Sequence, residues 1–353
     1  MTGIRETIKA LSTQIHNLAQ DREELCFMEV CGTHTMSIAK HGVRALLPSN
    51  VRIISGPGCP VCVSTVSDIE NCISLAMRPD TIVATFGDML KVPGVNHSLS
   101  EFPSVKIIYS PMQAVELARL NTDKNIVLLG IGFETTTPLM AAAVKAAEKL
   151  QLRNFFLYSM ARTVPRALEL LLNAPDNSLT GFILPGHVSA ITGVRYYDFM
   201  KAWPTRGVIT GFEMLDIMQS LYLLVSLAVN NRCEVVNNYP EWVKEDGNRK
   251  AMDTVSDVFI PCDSYWRGIG LIPESGLKMR EEFAQFDASI KFGLENRDIP
   301  DPPGCLCGRI LLGKNLPSDC GHFGKSCTPS RPVGPCMVSS EGTCAAWFKY
   351  IMP

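Results

Sequence analysis

The stretch Ile126–Leu150 reads IVLLGIGFETTTPLMAAAVKAAEKL. An apolar run bounded by glycine reads as a strand buried on both faces, and the alanine-rich stretch from Pro138 has the composition and apolar spacing of a helix. The same unit recurs along the chain. Apolar runs of strand length lie at Leu25–Val30, Val51–Ser55, Thr81–Thr85, Val105–Tyr109, Ile126–Ile131, Asn154–Ser159, Gly181–Leu184 and Gly207–Thr210. Helical patterns follow at Met112–Leu120, Pro138–Leu150 and Glu213–Val229. Strand, turn and helix in alternation predict an α/β fold with doubly wound parallel sheet, in which ligands bind beyond the carboxyl ends of the strands. The post-strand turns are therefore where chemistry is expected.

Those turns echo one another. SGPGCPV (Ser55–Val61) resembles LPGHV (Leu184–Val188), TFGDML (Thr85–Leu90) resembles TGFEML (Thr210–Leu215), and VCGTHT (Val30–Thr35) resembles IGFETT (Ile131–Thr136). Tandem duplication with an extra strand–helix unit at Asn154–Asn173 accounts for this; coincidence of short motifs is the competing reading. Duplication predicts two similar doubly wound lobes facing a cleft, residues 1–119 and 120–236, and a cysteine-rich third domain at 237–353.

Composition narrows the function. With 33 basic and 35 acidic residues the chain has no basic excess for nucleic acid. Its longest apolar run, Leu221–Val229, is too short to span a bilayer, so no membrane partner is expected. The first residues read as a polar amphipathic helix without the charged and apolar regions of a secretion signal, which predicts a cytoplasmic protein. In a reducing compartment, cysteines bind metal or react more often than they staple.

Two cysteine sites fall on post-strand turns. Cys31 follows a strand and precedes GTHT, whose Thr33 or Thr35 is placed to cap a helix. A thiol at a helix start ionises more readily, as a nucleophile or metal ligand requires, and His34 is a second ligand or proton carrier; a small buried cysteine beside a capping histidine fits equally. Cys59-Pro60-Val61-Cys62 opens the next helix as a redox dithiol or open metal site, since no second ligand pair follows at zinc-finger spacing. Glu134, in GFETTTP, and His187, in PGHVSAITG, are acid–base candidates facing Cys31 and Cys59, or else a helix cap and a satisfied buried histidine. The GIGFET run lacks the third glycine of a dinucleotide fingerprint. Cys26, Cys72, Cys233 and Cys262 have no partner spacing and read as buried apolar residues.

The tail is the densest signal. Cys305, Cys307, Cys320, Cys327, Cys336 and Cys344 stand among glycines and prolines, a pattern suited to wrapping sulfur ligands around an iron–sulfur cluster or zinc. Six thiols are two more than one cluster takes, leaving a disulfide or redox pair, and a disulfide knot without metal is the alternative.

Taken in order, CGTHT, GPGCPVC, GFETTTP, PGHVSAITG and the tail GCLCG…PSDCGHFGKSCTP…GPCMVSSEGTCAA closely resemble the HypD family, maturation factors of nickel–iron hydrogenases. The resemblance runs from about Cys31 to the C-terminus. It implies a scaffold that assembles the Fe(CN)2CO group with a HypC-type chaperone, takes cyanide from a HypE-type thiocyanate carrier, and passes the iron group on to the hydrogenase large subunit. It also implies iron held at Cys31 with Cys59 and Cys62 as the associated dithiol, a 4Fe-4S cluster on Cys305, Cys320, Cys327 and Cys344, and a disulfide between Cys307 and Cys336. A reading of a different class is a thiol-disulfide oxidoreductase whose cluster is structural.

Overall fold

The structure, a computed structural model, describes residues 2–297 and 299–352. Eleven strands follow the opening helix Thr2–Ala19: β1 (Leu25–Glu29), β2 (Val51–Ser55), β3 (Thr81–Thr85), β4 (Val105–Ile107), β5 (Asn125–Gly132), β6 (Phe155–Ala161), β7 (Gly181–Pro185), β8 (Gly207–Thr210), β9 (Val235–Asn237), β10 (Phe259–Trp266) and β11 (Gly270–Met279). Each of the eight apolar runs forms a strand within two or three residues of its expected bounds. Helices appear at Pro111–Leu120, Thr137–Lys149 and Met214–Val229, as the patterns require.

Two parallel sheets result, but the chain does not build them one after the other. The first has the order β2-β1-β7-β8-β9 and the second β4-β3-β5-β6. The chain lays down β1 and β2, leaves to complete the second sheet, and returns at β7. The division near residue 119 therefore cuts through the second sheet, between β4 and β5, and separates β1 and β2 from their partner β7. The sequence echoes do not relate the sheets consistently either: the turns after β2 and β7 share one sheet, whereas the β1–β5 and β3–β8 pairs cross between sheets in opposite senses.

The order places the chemistry. Since β2, β1 and β7 are adjacent and parallel, the turns carrying Cys59, Cys31 and His187 emerge side by side at one sheet end. His187 thus belongs with the cysteines and not opposite them, while Glu134 comes from the second sheet, after β5.

The last third packs against both sheets. β10 and β11 form an antiparallel hairpin that docks on β6, with the Thr163 N–H donating to Ser275 O (2.9 Å) and Ser159 Oγ to Leu277 O (2.6 Å). One continuous core contains Met28 and Leu184 of the first sheet, Val127 and Phe156 of the second, and Cys307, Cys336 and Cys344 of the tail. Burial of that shared apolar surface, at about 25 cal/mol per Å², holds the tail thiols against the sheets.

Candidate functional site

Cys31 itself occupies the N-cap of the helix Gly32–Lys40, with extended backbone (φ −151°), displacing Thr33 and Thr35 from the expected capping role. Its carbonyl accepts from the Thr35 N–H (3.0 Å), and its own N–H donates to Glu29 Oε2 (3.1 Å). The thiol is half-buried, with the N–H groups of Thr33 and His34 pointing toward the sulfur. Burial and the nearby Glu341 carboxylate push it up to about 12, so the free group is a thiol that needs a cation to ionise.

Beneath it lies Glu29, fully buried at the end of β1. Its Oε1 accepts from the Thr35 hydroxyl. Burial pushes this carboxyl up to about 7, against the opposing hydrogen bonds from Thr35 and the Cys31 N–H. The neighbouring turn fits closely: the Gly32 N–H donates to Gly58 O (3.0 Å), and a Cβ on Gly58 would fall 2.2 Å from Cys31 N. Only glycine lets the two cysteine turns touch.

Cys59 caps the short helix Pro60–Val63, its sulfur accepting from the Cys62 N–H (3.3 Å). Both thiols are buried. Burial raises both, but in Cys62 it is outweighed by the neighbouring Cys336 and Cys59 thiols and by the Arg267 guanidinium, so Cys62 is the lowered member and Cys59 the raised one.

The tail meets this dithiol directly. Cys336, buried in the turn Pro335–Met337 that packs against the Cys62 helix, has its sulfur 2.8 Å from that of Cys307, with the Cys62 and Cys344 thiols close by. A continuous line of thiols therefore runs Cys59, Cys62, Cys336, Cys307. Glu341 completes the junction, accepting from the Thr33 hydroxyl (2.7 Å) and packing on Gly32, where a Cβ would meet its Cβ at 2.4 Å.

Beside Cys336 and Cys307, the four remaining tail cysteines, Cys305, Cys320, Cys327 and Cys344, line the same small pocket together with Ile310, Phe323 and Met337. The Val333 N–H donates to Cys327 Sγ (3.3 Å). A Cβ on Gly334 would lie 2.9 Å from Cys305 Sγ. Burial, then mutual repulsion with Cys307 and Cys320, pushes Cys305 up to about 12. Thiols crowded in an apolar pocket with backbone N–H donors suit an iron–sulfur cluster, whose positive iron relieves the repulsion. His322 also lines the pocket, but its ring nitrogens are engaged by Ser326 Oγ (2.7 Å) and Pro303 O (3.0 Å). Among the described residues, no three His, Cys, Asp or Glu side chains converge at single-ion distance, so Cys31, Cys59 and Cys62 do not form a closed mononuclear cage. A cubane separates its ligand sulfurs more widely than one ion does.

The acid–base candidates are placed differently from expectation. Glu134 is buried, its Oε1 accepting from the Val164 N–H (2.7 Å) and the Tyr196 hydroxyl (2.7 Å), so it caps the helix Val164–Leu172 and touches neither cysteine turn; its Oε2 has no partner. His34 is buried, bonded through Nε2 to Gly211 O (2.9 Å), and lowered to about 4 by burial. Phe212 is stacked between His34 and the exposed His187, with ring centroids 4.6 and 3.9 Å away. Of the four cysteines expected to be buried, Cys26 and Cys72 are, whereas Cys233, in the segment before the edge strand β9, is exposed, and Cys262, in the two-stranded β10–β11 sheet, is half-buried.

Sequence reading missed Glu29, Arg267 and Glu341. Only Glu29 left a signal, a carboxylate ending an apolar strand just before a cysteine.

Comparison with known proteins agrees with these motifs. The HypD profile, described as the "Hydrogenase formation hypA family", matches residues 6–351. The hydrogenase maturation factor HypD of Azotobacter vinelandii is 41% identical over 98% of this chain and 94% of its own length. That of Escherichia coli K12 is 39% identical over 98% and 95%, and that of Rhodobacter capsulatus 39% over 99% and 94%. Among solved structures, a 2,3-dimethylmalate lyase aligns with a TM-score of 0.15 at 9% identity over 71% of this chain and 86% of that one, too slight a likeness to bear on the fold. A profile spanning almost the whole chain, and full-length relatives at about two-fifths identity, show that this chain belongs to the HypD family of hydrogenase maturation factors.

Proposed function

We propose that the chain is a scaffold and electron donor for assembly of the Fe(CN)2CO group, with iron held at Cys31 beside Cys59 and Cys62, a HypC-type chaperone completing the iron site, and a HypE-type protein supplying cyanide as a thiocyanate. The observation that carries this reading is the succession of thiols from the Cys59 turn, which abuts the Cys31 turn, to the tail pocket. Releasing cyanide from an S-cyanated thiol takes two electrons, R–S–CN + 2e⁻ giving R–S⁻ and CN⁻, and a dithiol delivers two at once. A 4Fe-4S cluster, when held by Cys305, Cys320, Cys327 and Cys344, supplies electrons singly.

The chain's own residues perform the pair exchange. A Cys336 thiolate attacks Cys62 of a Cys59–Cys62 disulfide and Cys59 leaves as thiolate; Cys307 then attacks Cys336 and Cys62 leaves. Two electrons pass to the CPVC pair, and Cys307–Cys336 is left oxidised. Near-complete burial of Cys59 and Cys62 (3% and 0% exposed) disfavours the alternative oxidoreductase reading, because an external protein disulfide has no access to them.

Infrared spectroscopy tests the assignment, because iron-bound cyanide and carbon monoxide absorb where protein does not. Chain purified anaerobically with its chaperone is expected to show those bands and Cys31→Ser to lack them. Their absence from a cluster-loaded wild-type complex supports the oxidoreductase, and their persistence in Cys31→Ser removes the iron-ligand role.

A further inference from the structure

The four-residue helix Pro60–Val63 is too short to be stable by itself, and its last carbonyls need partners from elsewhere. They find them at the tip of the β10–β11 hairpin. The Arg267 N–H donates to Val63 O (2.8 Å) and Arg267 Nε to Ser64 O (2.7 Å), while Nη1 pairs with Asp301 Oδ1 (2.9 Å). The arginine is 2% exposed and its Nη2 has no partner, an arrangement that costs stability.

The other side of the same tip touches the tail. Gly268, in the left-handed region (φ +67°), lies back to back with Gly308: a Cβ on the first would fall 2.2 Å from Gly308 Cα, and one on the second 2.4 Å from Gly268 Cα. Gly308 follows Cys307 at the start of the helix Cys307–Leu311. Two consecutive residues thus grip the end of the Cys62 helix and the beginning of the Cys307 helix.

We infer that the Arg267–Gly268 tip is a positioning clamp that holds the CPVC pair within bonding reach of Cys336, so that thiol–disulfide exchange crosses from tail to sheet. The clamp rests on the thiol exchange proposed above. Arg267 fixes the exit of the Cys62 helix, Gly268 fixes the distance to Cys307, and Cys336 lies between. Displacement of reacting groups by about 1 Å slows reactions by roughly a hundredfold, so loosening the tip acts on the exchange rate.

Trapping the mixed disulfide tests this. In the full cluster-loaded chain carrying Cys59→Ser and Cys307→Ser, the Cys62–Cys336 bond has no resolving thiol, and diamide, a two-electron thiol oxidant, closes it; the bond is counted by mass spectrometry. Adding Arg267→Met is expected to slow closure at least tenfold with iron and sulfide content unchanged, and Arg267→Lys to give an intermediate rate. Equal rates with and without Arg267→Met overturn the clamp. Should Arg267→Met not fold, the Arg267→Lys chain decides: a rate equal to the parent overturns it, a slower rate at unchanged cluster content upholds it. No closure even with Arg267 present contradicts the thiol exchange itself, an outcome distinct from failure of the clamp.

Discussion

At the scale of single residues, burial holds Glu29, Cys31 and Cys59 in their protonated forms, while the neighbours of Cys62 lower that one thiol. Glu29 is the clearest case. Its carboxyl is raised from 4.5 to about 7 in the fold, so the folded state binds the proton more tightly than the unfolded state. The contribution of Glu29 to stability is therefore full below about pH 4.5 and is lost as pH rises toward 7, amounting to about 3 kcal/mol by the linkage relation. Thermal unfolding of metal-free chain between pH 5 and 8 should show this decline, and Glu29→Gln should flatten it. At the Cys31–Cys59 contact, Gly58→Ala should destabilise the chain by about 1–3 kcal/mol, since the new methyl must push one turn off the other. Chemical denaturation measures the loss, and iron retained after co-purification with the chaperone should fall with it. The cysteines themselves were legible in the sequence; Glu29's role was not, because burial on both faces of a strand is set by neighbours distant in sequence.

At the scale of elements, eight of the nine parallel strands were legible because buried strands flanked by turns leave an unbroken apolar run; the short, half-buried β9 was not. Which sheet each joins was not, since apolar runs carry no address for a partner: β2 pairs with β1 and β3 with β5, although β2 and β3 are consecutive. The β10–β11 hairpin escaped notice because Pro261, Cys262 and Asp263, and later Pro273 and Glu274, interrupt its alternation on a half-exposed surface. Elements from both sheets meet at a buried ion pair, Arg162 Nη2 to Asp68 Oδ2 at 2.9 Å, with Arg162 also donating to Tyr265 O (3.0 Å) on the hairpin. Asp68 caps the helix that follows the CPVC turn. Replacing one partner leaves a buried charge: Arg162→Met should cost about 3–5 kcal/mol, and the double variant with Asp68→Asn less than the sum of the single losses. Urea unfolding of the four chains measures this coupling.

At the scale of the whole molecule, the two sheets and the tail share one core, and that sharing is what brings Cys336 to Cys62. Resemblance to the family, and not spacing, divides the tail into four ligands and two spare thiols; the fold adds that Cys336 and Cys307 face the CPVC turn. Among the described residues, no helix is long and apolar enough to cross a membrane. The central claim is that electron pairs reach Cys59 and Cys62 through Cys307 and Cys336. It is tested most directly with anaerobic, cluster-loaded chain whose thiol pairs are oxidised. The chain is treated with a low-potential one-electron reductant, quenched by alkylation at timed intervals, and the free thiols are counted by mass spectrometry. The account predicts that in wild type Cys59 and Cys62 become free, whereas in Cys307→Ser the cluster is reduced normally and the Cys59–Cys62 disulfide persists. Reduction of Cys59–Cys62 at the wild-type rate in Cys307→Ser would contradict it.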